Sequence, residues 1–306
     1  MIGRRQFNQS LLALASLVTL GLNVEAKDSS RIITKTIPSS GQKIPAIGMG
    51  TWITFDVDKN IDELKQHIAI LVEFFHQGGS MIDSSPMYGM AQKILGITLP
   101  LTQNKEKLFS ATKVWIPGQH NGIAQMLNSA TVWGINKFDL IYIHNMLDWR
   151  AHLPTLQQWK AEKKLRYIGM TASHGRRHSE MLDVLTNHKL DFIQVSYNIH
   201  DRDVEEYLLP MAQEKGVAVV ANRPFQTNGL FSRVRNKKLP DWASEIDCNN
   251  WAQFFLKFVI SHPALICAIP ATSQLKHMQQ NMGALYGRLP DKAMRTEMVK
   301  YYQSVI

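Results

Sequence analysis

Short apolar runs rich in Val, Ile and aromatic residues alternate along this chain with longer stretches in which apolar residues recur at helical spacing. The runs fall at 46–52 (AIGMGTW), 80–85 (SMIDSS), 108–114 (LFSATKV), 138–145 (FDLIYIHN), 166–172 (RYIGMTA), 192–198 (FIQVSYN), 217–223 (VAVVANR) and 265–271 (LICAIPA). Between the first two, Ile61, Leu64, Ile68, Leu71 and Phe75 follow a 3-4-3-4 spacing, which sets them on one face of a helix laid against a sheet. Apolar strands separated by amphipathic helices imply a parallel sheet with crossover connections. Eight of them are what a barrel needs, so the predicted fold is α/β, a single (β/α)8 TIM barrel. The segment 31–47 (RIITKTIPSSGQKIPAI) reads as an N-terminal β-hairpin closing the barrel bottom, and 226–245 (QTNGLFSRVRNKKLPDWASE) as an inserted loop before the last strand. Trp251, Phe254, Phe255 and Phe258 in WAQFFLKFVISHP are expected to be packing rather than an aromatic binding box.

The first 26 residues stand outside this rhythm. MIGRRQF, an uncharged run over residues 11–24, and Val24-Glu25-Ala26 together read as an export signal. Arg4-Arg5 with Phe7 resembles the twin-arginine motif, with a small-residue cleavage site before Lys27. The expected organisation is a signal peptide at 1–26 and one barrel domain at 27–306, directed to the periplasm by the twin-arginine machinery. The run is too short to span a bilayer comfortably, so no stable membrane span is expected in the mature chain.

The 306 residues carry a formal charge of +9, spread along the chain apart from KAEKKLR (160–166) and SRVRNKK (232–238), so nucleic acid is not an expected partner. The two cysteines, Cys248 and Cys267, provide no disulfide framework. His174 and His178 are four apart, but Arg176 and Arg177 between them would repel a cation, and no metal site is expected. No GxGxxG follows a strand, and no P-loop, GxSxG or HExxH occurs.

Four polar residues at or just past the ends of apolar runs carry the chemistry: Asp83 and Tyr88 in MIDSSPMYG, Lys113 in SATKVW and His144 in LIYIHN. The C-terminal face of a barrel gathers its catalytic groups at such positions. A phenol, an ammonium, a carboxylate and an imidazole meeting there would make a proton donor suited to reducing a carbonyl. A free phenol titrates near ~10, and Lys113, kept protonated by Asp83, is expected to lower that value for Tyr88, with His144 holding the carbonyl oxygen.

Here the chain resembles the aldo-keto reductases. GMGTW, MIDSSPMYG, ATKVW, DLIYIHN, RYIGMT, IQVSYN and IPATS occur in the family's order over nearly all of the mature chain. The resemblance implies catalytic roles for Asp83, Tyr88, Lys113 and His144, and a nicotinamide cofactor, NADPH with NADH possible. It implies that Thr171 and Gln194 hold the nicotinamide carboxamide and that Gly50, Thr51 and Trp52 border the nicotinamide ribose and the substrate. Asn222, Arg223, Pro224 and Phe225 would follow the pyrophosphate, and Ala271, Thr272, Ser273, His277, Gln280 and Asn281 the adenosine. Ala172 replaces an asparagine that usually contacts the carboxamide, and Asn222 a tyrosine that stacks on the nicotinamide in many members. Ala271 stands where some members have a lysine for the 2′-phosphate, a group Ser273, Lys276 and His277 could still meet. Trp52, Trp115 and Asn145 sketch the substrate pocket, with Trp149 a further candidate. The expected function is an exported oxidoreductase acting on a small aldehyde, ketone or alcohol; the alternative is a slow-turnover nucleotide-binding sensor on the same barrel.

Overall fold

The computed structural model describes residues 32–58 and 60–306; the export-signal reading of residues 1–26 lies outside the described residues. Each of the eight apolar runs contributes one strand of a parallel sheet: β3 (Met49–Gly50), β4 (Met81–Asp83), β5 (Phe109–Val114), β6 (Leu140–Ile143), β7 (Tyr167–Thr171), β8 (Phe192–Ser196), β9 (Ala218–Asn222) and β10 (Leu265–Ala268). Neighbours in sequence are neighbours in the sheet, and parallel bridges from Ile47 to Ala268 and from Gly50 to Ala271 bring β10 back to β3. The seam is tight: a Cβ on Gly50 would stand 2.9 Å from the Ile269 carbonyl oxygen, so glycine is required there.

Most strands are shorter than the runs that predict them. The last residues of several runs, among them His144-Asn145, Ala172 and Ile269-Pro270, lie past the ends of the strands at the C-terminal face.

Helices α1 (Ile61–His76), α2 (Ala91–Thr98), α3 (Gln119–Trp133), α4 (Trp149–Ala161), α5 (His178–Asn187), α6 (Leu208–Glu214), α7 (Gly229–Arg233), α8 (Trp251–Ile260), α9 (Leu275–Met282) and α10 (Lys292–Val305) run among and after the strands. Asn60 caps α1 by accepting the Glu63 N–H at 2.9 Å, and the acidic Asp62 and Glu63 sit in its first turn, where the helix dipole favours them. Leu64, Ile68, Leu71 and Phe75 are buried as the spacing predicts; Ile61, on the first turn, is 38% exposed and departs from the stripe. Phe254, Phe255 and Phe258 are core residues of α8. The stretch read as an inserted loop is partly helical, holding α7 and a 3-10 segment at Asp241–Ile246.

At the opposite end, β1 (Thr34–Thr36) pairs antiparallel with β2 (Lys43–Pro45). The hairpin turns through Gly41, at φ +74°, and its Ile37 and Ile44 are buried against Met81, Phe109, Leu140, Tyr167 and Phe192, residues at the N-terminal ends of barrel strands. Tyr167 Oη ties the plug down by donating to Ser40 Oγ at 2.7 Å or Gln42 Oε1 at 2.9 Å. Burying each isoleucine contributes about 1.5–3 kcal/mol. Both cysteines are buried thiols, and no helix among the described residues is long and apolar enough to cross a membrane.

Candidate active site

The site grows from the C-terminal ends of adjacent strands. Asp83 ends β4, Lys113 lies one residue from the end of β5, and His144 follows β6 directly. Tyr88 reaches them from a turn in which its N–H donates to Ser85 O at 3.0 Å and its carbonyl accepts from Ala91 N at 3.0 Å. Lys113 is fully buried at 0% exposure, and its Nζ is ion-paired with Asp83 Oδ1 and donates to Ser84 O at 3.1 Å. The second carboxylate oxygen accepts from Gln194 Nε2 at 3.0 Å, and the Asp83 backbone carbonyl accepts from Thr51 Oγ1 at 3.0 Å. Lys113 Nζ stands 5.0 Å from the centre of the Tyr88 ring, which meets His144 edge to face at 5.8 Å. Ser85 Oγ and His144 Nδ1 are 3.0 Å apart. The structure therefore brings all four residues into one cluster.

Burial is the largest influence on Lys113, Tyr88 and His144. It acts to lower Lys113, but Asp83 and then Tyr88 outweigh it and hold the ammonium above its ordinary value. For Tyr88 burial prevails and the phenol is raised, against the opposing pull of Lys113. This corrects the expectation of a depressed phenol: the cation acts in the expected direction, but a buried phenolate loses more hydration than the ammonium returns. His144 is pushed down to about 2, first by burial and then by Lys113, and is a neutral imidazole at any ordinary pH.

The cluster opens on a cleft of about 280 Å³. Gly50, Thr51, Trp52, Asp83, Tyr88, His144, Asn145, Thr171, Gln194, Asn222, Arg223, Pro224, Phe225 and Ala271 line it, as the sequence reading placed them. Lys113 lies behind Asp83 and Tyr88 rather than on the wall. Ala172 is buried; its N–H donates to Gln194 O at 2.9 Å and its carbonyl accepts from Asn222 Nδ2 at 3.4 Å. Asn222 is held on its other side by Ser196 Oγ, which donates to its Oδ1 at 2.8 Å, so its amide lies between Gln194 and Ser196. Trp115 stands outside the cleft lining, exposed, with its ring 6.4 Å from His144. Trp149 is no pocket residue: it is buried at the start of α4, after the left-handed Asp148, with Nε1 donating to Glu180 Oε1 at 2.8 Å.

Thr272, Ser273, His277, Gln280 and Asn281 lie beyond the cleft, in the turn leading to α9 and on that helix. Thr272 Oγ1 accepts the Gln274 N–H at 3.0 Å, Asn281 is buried, and Lys276 and His277 are exposed in a first helical turn without acidic residues.

Ile53, Thr54, Met87, Ser173, His174, Thr227, Asn228, Ile269 and Pro270 also line the cleft, and Ser85 backs His144, although sequence reasoning named none of them for the site. Ser85 was within reach, lying in the same MIDSSPMYG motif. Ile53 had no local signal: it sits at φ +66°, unusual for a β-branched residue, and is imposed by the loop it belongs to.

The donor set fits a nicotinamide dinucleotide. The Thr171 hydroxyl and the Gln194 and Asn222 amides match a carboxamide, and Arg223 offers a cation farther along the same wall, beside the His174 imidazole. The acid-free first turn of α9, with Lys276 and His277, offers donors to a phosphate.

Residues 46–297 match the sequence profile of the aldo/keto reductase family. The chain is similar to methylglyoxal reductase YeaE of Escherichia coli (strain K12), 28% identical over 260 residues, which cover 82% of this chain and 89% of that protein. It is also similar to probable aldo-keto reductase 1 of Glycine max, at 24% identity covering 74% and 77% of the two chains. Among solved structures, an aldo/keto reductase of Klebsiella pneumoniae in complex with NADP and acetate superposes with a TM-score of 0.71 at 23% identity, covering 88% of this chain and 96% of the other. An aldo-keto reductase of Bacillus halodurans in its holo form gives 0.71 at 19% identity, covering 89% and 96%.

Proposed function

We propose, from the premise that the chain belongs to the aldo/keto reductase family, that it is an exported oxidoreductase that uses NADPH to reduce a small aldehyde or ketone, with Tyr88 as general acid and the reverse oxidation of an alcohol by the same residues. The observation that carries this reading is the buried contact of Tyr88 with the Asp83–Lys113 ion pair beside a neutral His144 on one cleft. Reduced nicotinamide would supply the hydride. The protein's own residues do the rest.

Because its pKa is raised, Tyr88 holds its proton through the neutral range and gives it up only as negative charge develops on the carbonyl oxygen. Lys113 then faces a phenolate, and its charge, fixed by Asp83, is already in place to stabilise it. His144, uncharged, contributes by hydrogen bonding and does not compete for the proton. Gln194 and Asn222 would orient the carboxamide, Arg223 would meet the pyrophosphate, and Lys276 and His277 would favour the 2′-phosphate, which makes NADPH the preferred cofactor over NADH.

The substrate proposed is small: the cleft is of modest volume, and Asn145 rather than a large ring follows His144. The name of the similar Escherichia coli protein suggests methylglyoxal as a first probe. Export to the periplasm through the twin-arginine machinery rests on Arg4-Arg5, Phe7 and the small-residue site ending at Ala26. The test is turnover of NADPH by protein recovered from the exported fraction, with methylglyoxal and a set of small aldehydes and ketones. Steady reduction supports the reading. A nucleotide that co-purifies, never exchanges and is not consumed with any carbonyl would favour a binding module, and retention of the chain in the cytoplasm would remove the export proposal.

A further inference from the structure

The contact between Ser85 and His144 has no part in the scheme above. Ser85 follows the end of β4 by two residues, is 1% exposed, and presents Oγ to His144 Nδ1 at 3.0 Å. The Met87 N–H donates to the same oxygen at 3.4 Å, and Oγ makes no other hydrogen bond among the described residues. The hydroxyl already accepts, so its own proton has one acceptor in reach, the imidazole Nδ1. A neutral imidazole carries a single N–H. When Nδ1 accepts, that hydrogen is on Nε2. Nε2 has no hydrogen-bond partner among the described residues, and His144 lines the cleft with its ring against Tyr88. The opposite arrangement, Nδ1–H donating to Ser85, would leave the serine proton without an acceptor and turn an Nε2 lone pair toward a carbonyl oxygen, which is also an acceptor.

We infer that Ser85 is a positioning residue that fixes His144 in its Nε2–H form, so that the imidazole donates a hydrogen bond to the same carbonyl oxygen that Tyr88 protonates. The geometry stands on its own; the catalytic consequence rests on the carbonyl-reductase reading of the cleft. Burial and Lys113 keep the ring neutral, which is the condition under which tautomer choice matters.

Two variants and two readouts test it. In protein labelled with 15N at histidine, two-bond 1H–15N spectra distinguish the tautomers without cofactor or substrate, and loss of one signal in His144→Gln assigns the residue. The wild type is expected to show the Nε2–H form. In Ser85→Ala the signal should move toward a mixture, and kcat for carbonyl reduction should fall about tenfold, the effect of one hydrogen bond, while KM and the NADPH Kd stay within about twofold. Ser85→Thr should restore both the spectrum and kcat. An Nδ1–H or cationic His144 in the wild type overturns the inference, as does a Ser85→Ala protein with unchanged spectrum and unchanged kcat. A tautomer that responds to Ser85→Ala in a protein that reduces no carbonyl would leave the positioning role intact and remove the carbonyl-reductase reading instead.

Discussion

Replacing Lys113 by Met keeps the length of the side chain and deletes its charge, and the two consequences separate cleanly. The first is stability. Asp83 is 2% exposed, and without the ammonium it keeps only the Gln194 amide as a side-chain donor. Removing one partner of a buried pair in this way costs about 3–5 kcal/mol. The second is catalytic. At the 5.0 Å separation of Nζ and the Tyr88 ring centre, and an effective dielectric of about 20, a unit charge developing on the ring is stabilised by about 3 kcal/mol, or roughly 10²-fold in rate. The double variant Lys113→Met/Asp83→Asn tells them apart: neutralising the stranded carboxylate should return most of the lost stability in urea titrations, while kcat stays depressed about 10²-fold. Nucleotide affinity, measured by quenching of tryptophan fluorescence, should change little in either variant. A well-folded double variant whose kcat lies within about threefold of wild type would refute the assignment of Lys113 as the group that stabilises the phenolate.

Further outcomes follow from the same structure. Because the folded His144 titrates near 2 and the unfolded one near ~6.5, the unfolded chain takes up a proton that the folded one does not as pH falls through 6.5; this contribution to stability is intact above that pH and is lost below it, by about 2 kcal/mol at pH ~5. His144→Asn should therefore flatten the acid limb of unfolding free energy against pH, with His262, lowered to about 4 mainly by burial, still sloping in both proteins. Arg223→Ala should raise the NADPH Kd about tenfold and weaken its dependence on salt, read by fluorescence titration at two ionic strengths. Ile44→Ala empties the hairpin's seat in the barrel floor and should lower stability by about 2–5 kcal/mol while leaving kcat of the folded fraction unchanged.

The barrel was legible because its signal is repeated: eight apolar runs, each continuous because both faces of its strand are covered, leave little room for another fold. Where strands end was not legible, since Ile269 is as apolar as the residues before it yet lines the cleft. Residues carried by motif, such as Gly50, Gln194 and Asn222, were placed on the cleft because strand order fixes the face on which each motif emerges. Trp149 was misjudged for the opposite reason, since a loop decides where its ring points. Left-handed residues cluster after His144, at Asn145, Met146 and Asp148, and Arg177 Nη1 holds the bend by donating to Asn145 O and Met146 O at 2.9 Å each. Those contacts join residues 31 and 32 positions apart, beyond the reach of any local pattern. The direction of the Tyr88 shift likewise depended on a quantity that sequence does not carry, the degree to which the ring is covered.

Tyr88→Phe tests the central claim most directly, because it removes one oxygen and its proton while keeping the ring against His144 and Lys113. With NADPH and methylglyoxal, single-turnover reduction by the variant should be slower by about 10²–10⁴-fold, at an NADPH Kd within about threefold of wild type. A Phe variant that reduces the carbonyl at the wild-type rate would contradict the account, since some other group would then be delivering the proton.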